Sequence, residues 1–134
     1  MDEANKFTAA SEAQAGMRRQ DDISAIMVYT TFPSESEAKS AGRALVERGL
    51  AACVNIFPQM IAIFSWQGEV EEAGEAAMFV KTVPERADEV LAEIKRLHPY
   101  SVPARLVLPV TGGGKDYLEW IAQECRTGKI VHRQ

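Results

Sequence analysis

Apolar residues along the chain switch between two periods, and the switches mark the elements. Ile23–Phe32 is mostly apolar or β-branched and reads as a strand that Pro33 ends. Ser34 follows, with Glu37 three residues on, the spacing of a capping box at a helix start. Ala38, Ala41, Leu45 and Val46 then recur at helical spacing, and Gly49 supplies a left-handed cap over which Leu50 packs back. Ala51–Gln67 is the longest apolar stretch. Pro58 and its β-forming residues exclude a helix. Its length exceeds the usual strand of roughly 5–6 residues, so it reads as two strand segments, Ala51–Phe57 and Met60–Gln67, joined at a kink or bulge near Pro58. Gln67–Gly68 is a turn, and Glu69–Val83 returns as a second long strand, completing a long β-hairpin.

Pro84 opens a second helix, in which Ala87, Val90, Leu91, Ile94 and Leu97 share one face and Pro99 marks the end. Acidic residues near its start and Lys95, Arg96 and His98 near its end suit the helix dipole. Val102–Val110, with prolines at its ends, is an edge or short strand. After the glycine-rich loop Thr111–Lys115, Asp116–Arg126 forms a third helix. The order βαββαβ plus a C-terminal helix predicts an α+β, ferredoxin-like fold with an antiparallel sheet. Residues 1–22 read as a disordered N-terminal extension, 23–126 as the domain and 127–134 as a tail.

Half-solvated antiparallel strands alternate apolar and polar residues. Here Ile26–Val28, Ala76–Val80 and Leu106–Leu108 are apolar without alternation. Both sheet faces are therefore apolar, and so few helices cover about one of them. The second face predicts a symmetric homo-oligomer, dimer or trimer.

Composition removes some classes of function. A net charge of −4 argues against a general nucleic-acid binder. The longest apolar run is broken by Asn55, Pro58 and Gln59, so no membrane span is expected, and the first residues carry no secretory signal pattern. Cys53 and Cys125 form neither a disulfide framework nor a CxxC pair, which fits reduced thiols in a cytoplasmic protein.

The candidate chemistry is sparse. His98 sits at a helix end as a metal ligand, an acid–base group or a simple cap. Cys53 is a soft-metal ligand, a nucleophile or a small hydrophobe in a strand. Thr111–Lys115 fails as a phosphate loop, because Pro109 and Asp116 stand where glycine and Ser or Thr are required. Glu69, Glu71, Glu72 and Glu75 read as a solvated strand end, and Trp66, Trp120 and Tyr117 as core or interface anchors. Lys81 is the one charge inside an apolar strand run, where it must snorkel or find a partner.

The segments GLAACVNIFP, IFSWQGEVEE, VKT, HPYSVP and LPVTGGGKDYLEWI resemble, in order and spacing, the CutA family of divalent-cation tolerance proteins. The resemblance spans about Ile23 to Arg126. It implies a tight homotrimer, similar in architecture to the nitrogen-regulatory signalling trimers, in which neighbouring hairpins pair. It also implies a role in tolerance of divalent metals, copper especially, with no enzymatic activity. Clefts between subunits are the implied sites for a metal ion or a small ligand. The matching residues are Cys53 and His98 as metal donors, and Lys81, Trp66 and Tyr100 as ligand-binding residues. An alternative is a signalling-type trimer that senses a small anionic ligand and docks on a partner protein. One departure is plain: Ser101 and Ala104 stand where the family often carries glutamates. The remaining thiol and imidazole favour soft or borderline metals such as copper.

Overall fold

A computed structural model describes residues 23–125. Within them the order is β1 (Ala25–Phe32), α1 (Glu35–Glu47), β2 (Cys53–Trp66), β3 (Glu69–Thr82), α2 (Ala87–Leu97), β4 (Arg105–Val110) and α3 (Lys115–Glu124). The strands form one antiparallel sheet in the order β2-β3-β1-β4, the ferredoxin-like topology. The expectations for residues 1–22 and 127–134 fall outside the described residues.

Local chemistry sets the element ends. Ser34 caps α1 by accepting the Glu37 amide at 3.1 Å. At the other end Gly49 adopts φ 72°, which lets the Leu50 amide reach the Leu45 carbonyl at 3.0 Å and buries the Leu50 side chain. The hairpin turn places Gln67 at φ 50° and Gly68 at φ 84°, the pair of left-handed residues that a two-residue turn needs to follow the strand twist.

Three of the differences from the sequence expectation involve prolines. Ala51–Gln67 is one strand from Cys53, with a register shift between Phe57 and Met60; Pro58 is tolerated there because β2 is an edge strand. Pro84–Arg86 forms a 3₁₀ turn before α2 proper. Pro103 delays β4 until Arg105, and β4 is the other sheet edge.

The helices α1 and α2 cover one face. Ile26, Val28 and Phe32 of β1, Ala76, Met78 and Val80 of β3, Ala41 and Leu45 of α1, and Val90 and Ile94 of α2 form the main core. A second cluster joins Ala25 and Ala52 to Leu118, Ile121 and Cys125 of α3. The opposite face carries Met27, Tyr29, Ala77, Phe79, Leu106 and Leu108, in register across β1, β3 and β4. Of these Leu106 is 60% exposed, and Phe57 of β2, opposite Ala77, is 56% exposed. The β1–β3 ladder stops at Phe32–Ala76, so Glu69–Glu75 and their β2 partners project as an arm, with Ile61 67% and Ile63 68% exposed. The apolar second face inferred from missing alternation is thus present, with α3 packed on one end of it and its β4 and β2 sides exposed. No helix among the described residues is long and apolar enough to cross a membrane.

One buried carboxylate ties the helices together. Glu93 of α2 accepts from the Arg96 side chain and from Arg48 Nη1 at 2.8 Å, and Arg48 is the C-cap of α1. The hydrogen bonds from Arg96, the largest influence, and those from Arg48 outweigh desolvation and pull the Glu93 pKa from 4.5 to about 2. A carboxylate with a depressed folded-state pKa contributes its full stability above the unfolded value and loses it as pH falls. Acid titration of folding should therefore show an extra loss of about 1–2 kcal/mol between pH 4.5 and about 2, absent in Glu93→Gln. Parallel acid-unfolding curves for parent and variant would remove this role.

Candidate functional site

Cys53 opens β2 directly opposite Lys81 of β3, on the face away from α1 and α2. The start of the strand is fixed by the Ala52 amide, which donates to the Lys81 carbonyl at 2.9 Å. Helix α3 crosses this end of the sheet and places Tyr117, in its first turn, over the pair. Gly114 is the N-cap and offers no side chain; Asp116 turns back instead and accepts the Tyr117 amide at 2.7 Å. Leu118, the next residue, anchors the helix in the second core cluster.

The Lys81 ammonium donates to the Tyr117 hydroxyl at 3.1 Å, and the Cys53 thiol lies 3.8 Å from the same oxygen. The ammonium also sits 5.3 Å from the centroid of the Tyr117 ring, which stacks on Trp120 at 5.5 Å. The hydrogen bond to Tyr117 raises the Lys81 pKa above its usual value; burial opposes this, and the Cys53 thiol adds to the rise. Lys81 therefore stays charged at neutral pH. Among the described residues no carboxylate pairs with it.

The remaining candidates lie elsewhere. His98 is buried where the β1–β4 ladder ends at Thr30–Arg105. Its Nε2–H donates to the Thr31 carbonyl, and its Nδ1 accepts the Tyr100 amide at 3.1 Å. The ring stacks on Phe32 with centroids 4.5 Å apart. Both nitrogens are occupied, so in this conformation the imidazole has no free lone pair for a metal. Thr31 is level with Ala77, four residues from Lys81, or about 13 Å along the strand. Within one subunit, then, Cys53 and His98 do not form a donor pair. Tyr100 is aimed by His98 and donates to Glu75 at 3.3 Å; burial first, and the Glu75 carboxylate second, raise its pKa. Trp66 stands at the hairpin tip, 53% exposed and about 40 Å along β2 from Cys53.

These positions decide whether one subunit suits a metal ion. Among the described residues no three His, Cys, Asp or Glu side chains gather as a ligand set. The half-buried Cys53 thiol stands beside an ammonium, which repels a divalent cation. The described donors of a single subunit do not fit a metal centre. Tyr117 is the site residue that sequence reading places in a core or interface role. Its contacts span 36 and 64 residues and leave no local trace. Glu75, read as one of a solvated acidic run, is the partner of Tyr100.

The chain is an α+β, ferredoxin-like domain with a hairpin longer than its sheet and a polar cluster under α3 on the face away from α1 and α2. Residues 26–124 match the family model for CutA1 divalent ion tolerance protein, and the chain belongs to that family. It is 43% identical over 97 residues to the divalent-cation tolerance protein CutA of Thermus thermophilus, covering 72% of this chain and 94% of the relative. The corresponding protein of Archaeoglobus fulgidus is 45% identical over 94 residues, covering 70% and 91%. The solved structure of the T. thermophilus protein superposes with a TM-score of 0.74 at 41% identity, covering 76% of this chain and 99% of that one. The relatives have different addresses: the Arabidopsis thaliana protein is named chloroplastic and the A. fulgidus structure is described as periplasmic.

Proposed function

We propose that this chain is a cytoplasmic, non-enzymatic homotrimer that serves tolerance of, or response to, divalent metal ions, copper foremost. It binds a metal ion or a small ligand in clefts between subunits. The observation that carries this reading is the partly exposed apolar face of β1, β3 and β4 together with the projecting β2–β3 arm. Surface of that kind marks association in a soluble protein, and family membership favours three subunits. Association is also what brings distant residues to one place. Trp66 and Tyr100 lie far from the Cys53–Lys81 pair in one subunit, and a neighbour's arm can lie across that end. In this arrangement Cys53 is the soft donor, Lys81, Trp66 and Tyr100 line the cleft, and His98 acts by holding Tyr100. A metal at Cys53 takes its further ligands from other subunits. The second reading is the signalling-type trimer that senses a small anion, and the unpaired charge of Lys81 favours it.

Sedimentation at micromolar protein should give a trimer. Leu106→Glu with Leu108→Glu, placing charge on the exposed part of that face, should dissociate it. A stable folded monomer of the parent chain defeats the proposal. For the metal branch, Cys53→Ala should lower copper affinity in calorimetry by about tenfold or more. Unchanged affinity removes Cys53 as a donor.

A further inference from the structure

We propose that Lys81, Tyr117 and Cys53 form a seat for the carboxylate of a small organic acid, with the stacked Tyr117–Trp120 rings as a ledge for its apolar part. This rests on the reading above that the cleft takes a ligand, and it names the ligand's chemistry.

Lys39, Arg48, Arg86 and Arg96 each contact a carboxylate within 2.9 Å. Lys81 lies between Met27 of β1 and Cys53 of β2 and has instead the Tyr117 phenol. An ammonium carries three hydrogens, and Tyr117 takes one of them. The Tyr117 hydroxyl, having accepted from Lys81, keeps its own proton for another acceptor. The neighbour in reach is the Cys53 sulfur at 3.8 Å, a weak acceptor. The seat thus presents an uncompensated positive charge and two donor groups 3.1 Å apart, side by side. A carboxylate is an acceptor-only anion with two oxygens, and it would make a charge-assisted bond to Lys81 and a second bond to Tyr117. A divalent cation meets an ammonium and no carboxylate. A phosphate brings more acceptor oxygens than the seat has donors.

The surroundings select the rest of the ligand. The Tyr117 and Trp120 rings stack with planes 30° apart, and both remain over a third exposed at 44% and 39%. A flat apolar body bonded to the carboxylate can lie along them, while a bare inorganic anion would not use them. Cys53 acts here as a wall.

Benzoate tests this directly, with benzamide as its uncharged isostere, by calorimetry and amide-shift NMR on the full chain. Benzoate should bind, and benzamide about tenfold more weakly or worse. Lys81→Met should reduce benzoate affinity by about tenfold or more, and Tyr117→Phe, which keeps the ring, by several-fold. Circular dichroism and sedimentation of both variants should match the parent. Equal binding of benzoate and benzamide, no benzoate binding, or full affinity in Lys81→Met would each overturn the seat. A trimer that binds copper through Cys53 and ignores benzoate overturns the seat and leaves the cleft reading standing. A folded monomer ends the cleft reading, and benzoate still decides the seat, because all three residues belong to one subunit.

Discussion

Gly42→Ala is expected to destabilise the protein by about 1–2 kcal/mol, and Gly42→Val by about 3 kcal/mol or more. Gly42 faces the sheet from the middle of α1. A Cβ built there lies 2.7 Å from Val54 Cγ2 and 3.2 Å from Met78 Sδ. The methionine can move, since its side chain is unbranched. Val54 cannot, because a β-branched side chain has few rotamers and this one packs against the core. Alanine would otherwise favour the helix by about 1 kcal/mol, so the net loss measures the clash less that gain. Denaturant midpoints at fixed protein concentration are the measurement. Adding Val54→Ala should recover part of the loss, with a coupling of at least about 0.5 kcal/mol. A Gly42→Ala protein as stable as its parent would show that α1 does not approach β2 this closely. The site feels the same contact: Val54 follows Cys53, so a helix pushed outward shifts the strand that sets Cys53 opposite Lys81.

Gly42 also shows where sequence reading stops. A glycine inside a helical pattern signals close approach or nothing, and only the partner surface decides between them. Signals confined to one turn were legible. Ser34 and Glu37 located the start of α1, Gly49 its end, and Pro58 the irregularity in β2. Loss of alternation exposed the need for a second covering layer, because it depends only on the period of a strand. Lys81 stood out because a charge in an apolar strand requires an explanation. Its partner did not, because Tyr117 comes from another element and the contact exists only after α3 packs on Ala25 and Ala52. His98 was legible as a residue at a helix end and illegible as a buried one. Its role depends on where β4 begins, and the sequence placed that start at Val102, three residues before the observed Arg105.

His98→Ala is expected to cost about 2–4 kcal/mol, and His98→Phe about 1–3 kcal/mol. Alanine removes the ring stacked on Phe32 and leaves a void beside the main core. It also strands two backbone groups, the Thr31 carbonyl just past the end of the β1–β4 ladder and the Tyr100 amide. Phenylalanine restores the stack and leaves those groups unpaired, so the difference between the variants separates packing from hydrogen bonding. In both, Tyr100 loses the contact that aims it at Glu75, and its ring should become mobile in NMR. A metal donor predicts another pattern: copper affinity falls with either substitution, while the stability of the metal-free protein stays within about 0.5 kcal/mol of the parent. That outcome would return His98 to the ligand set. The two filled ring nitrogens instead favour loss of stability first, with any change in copper binding following from the displaced Tyr100 and absent wherever Tyr100 stays in place.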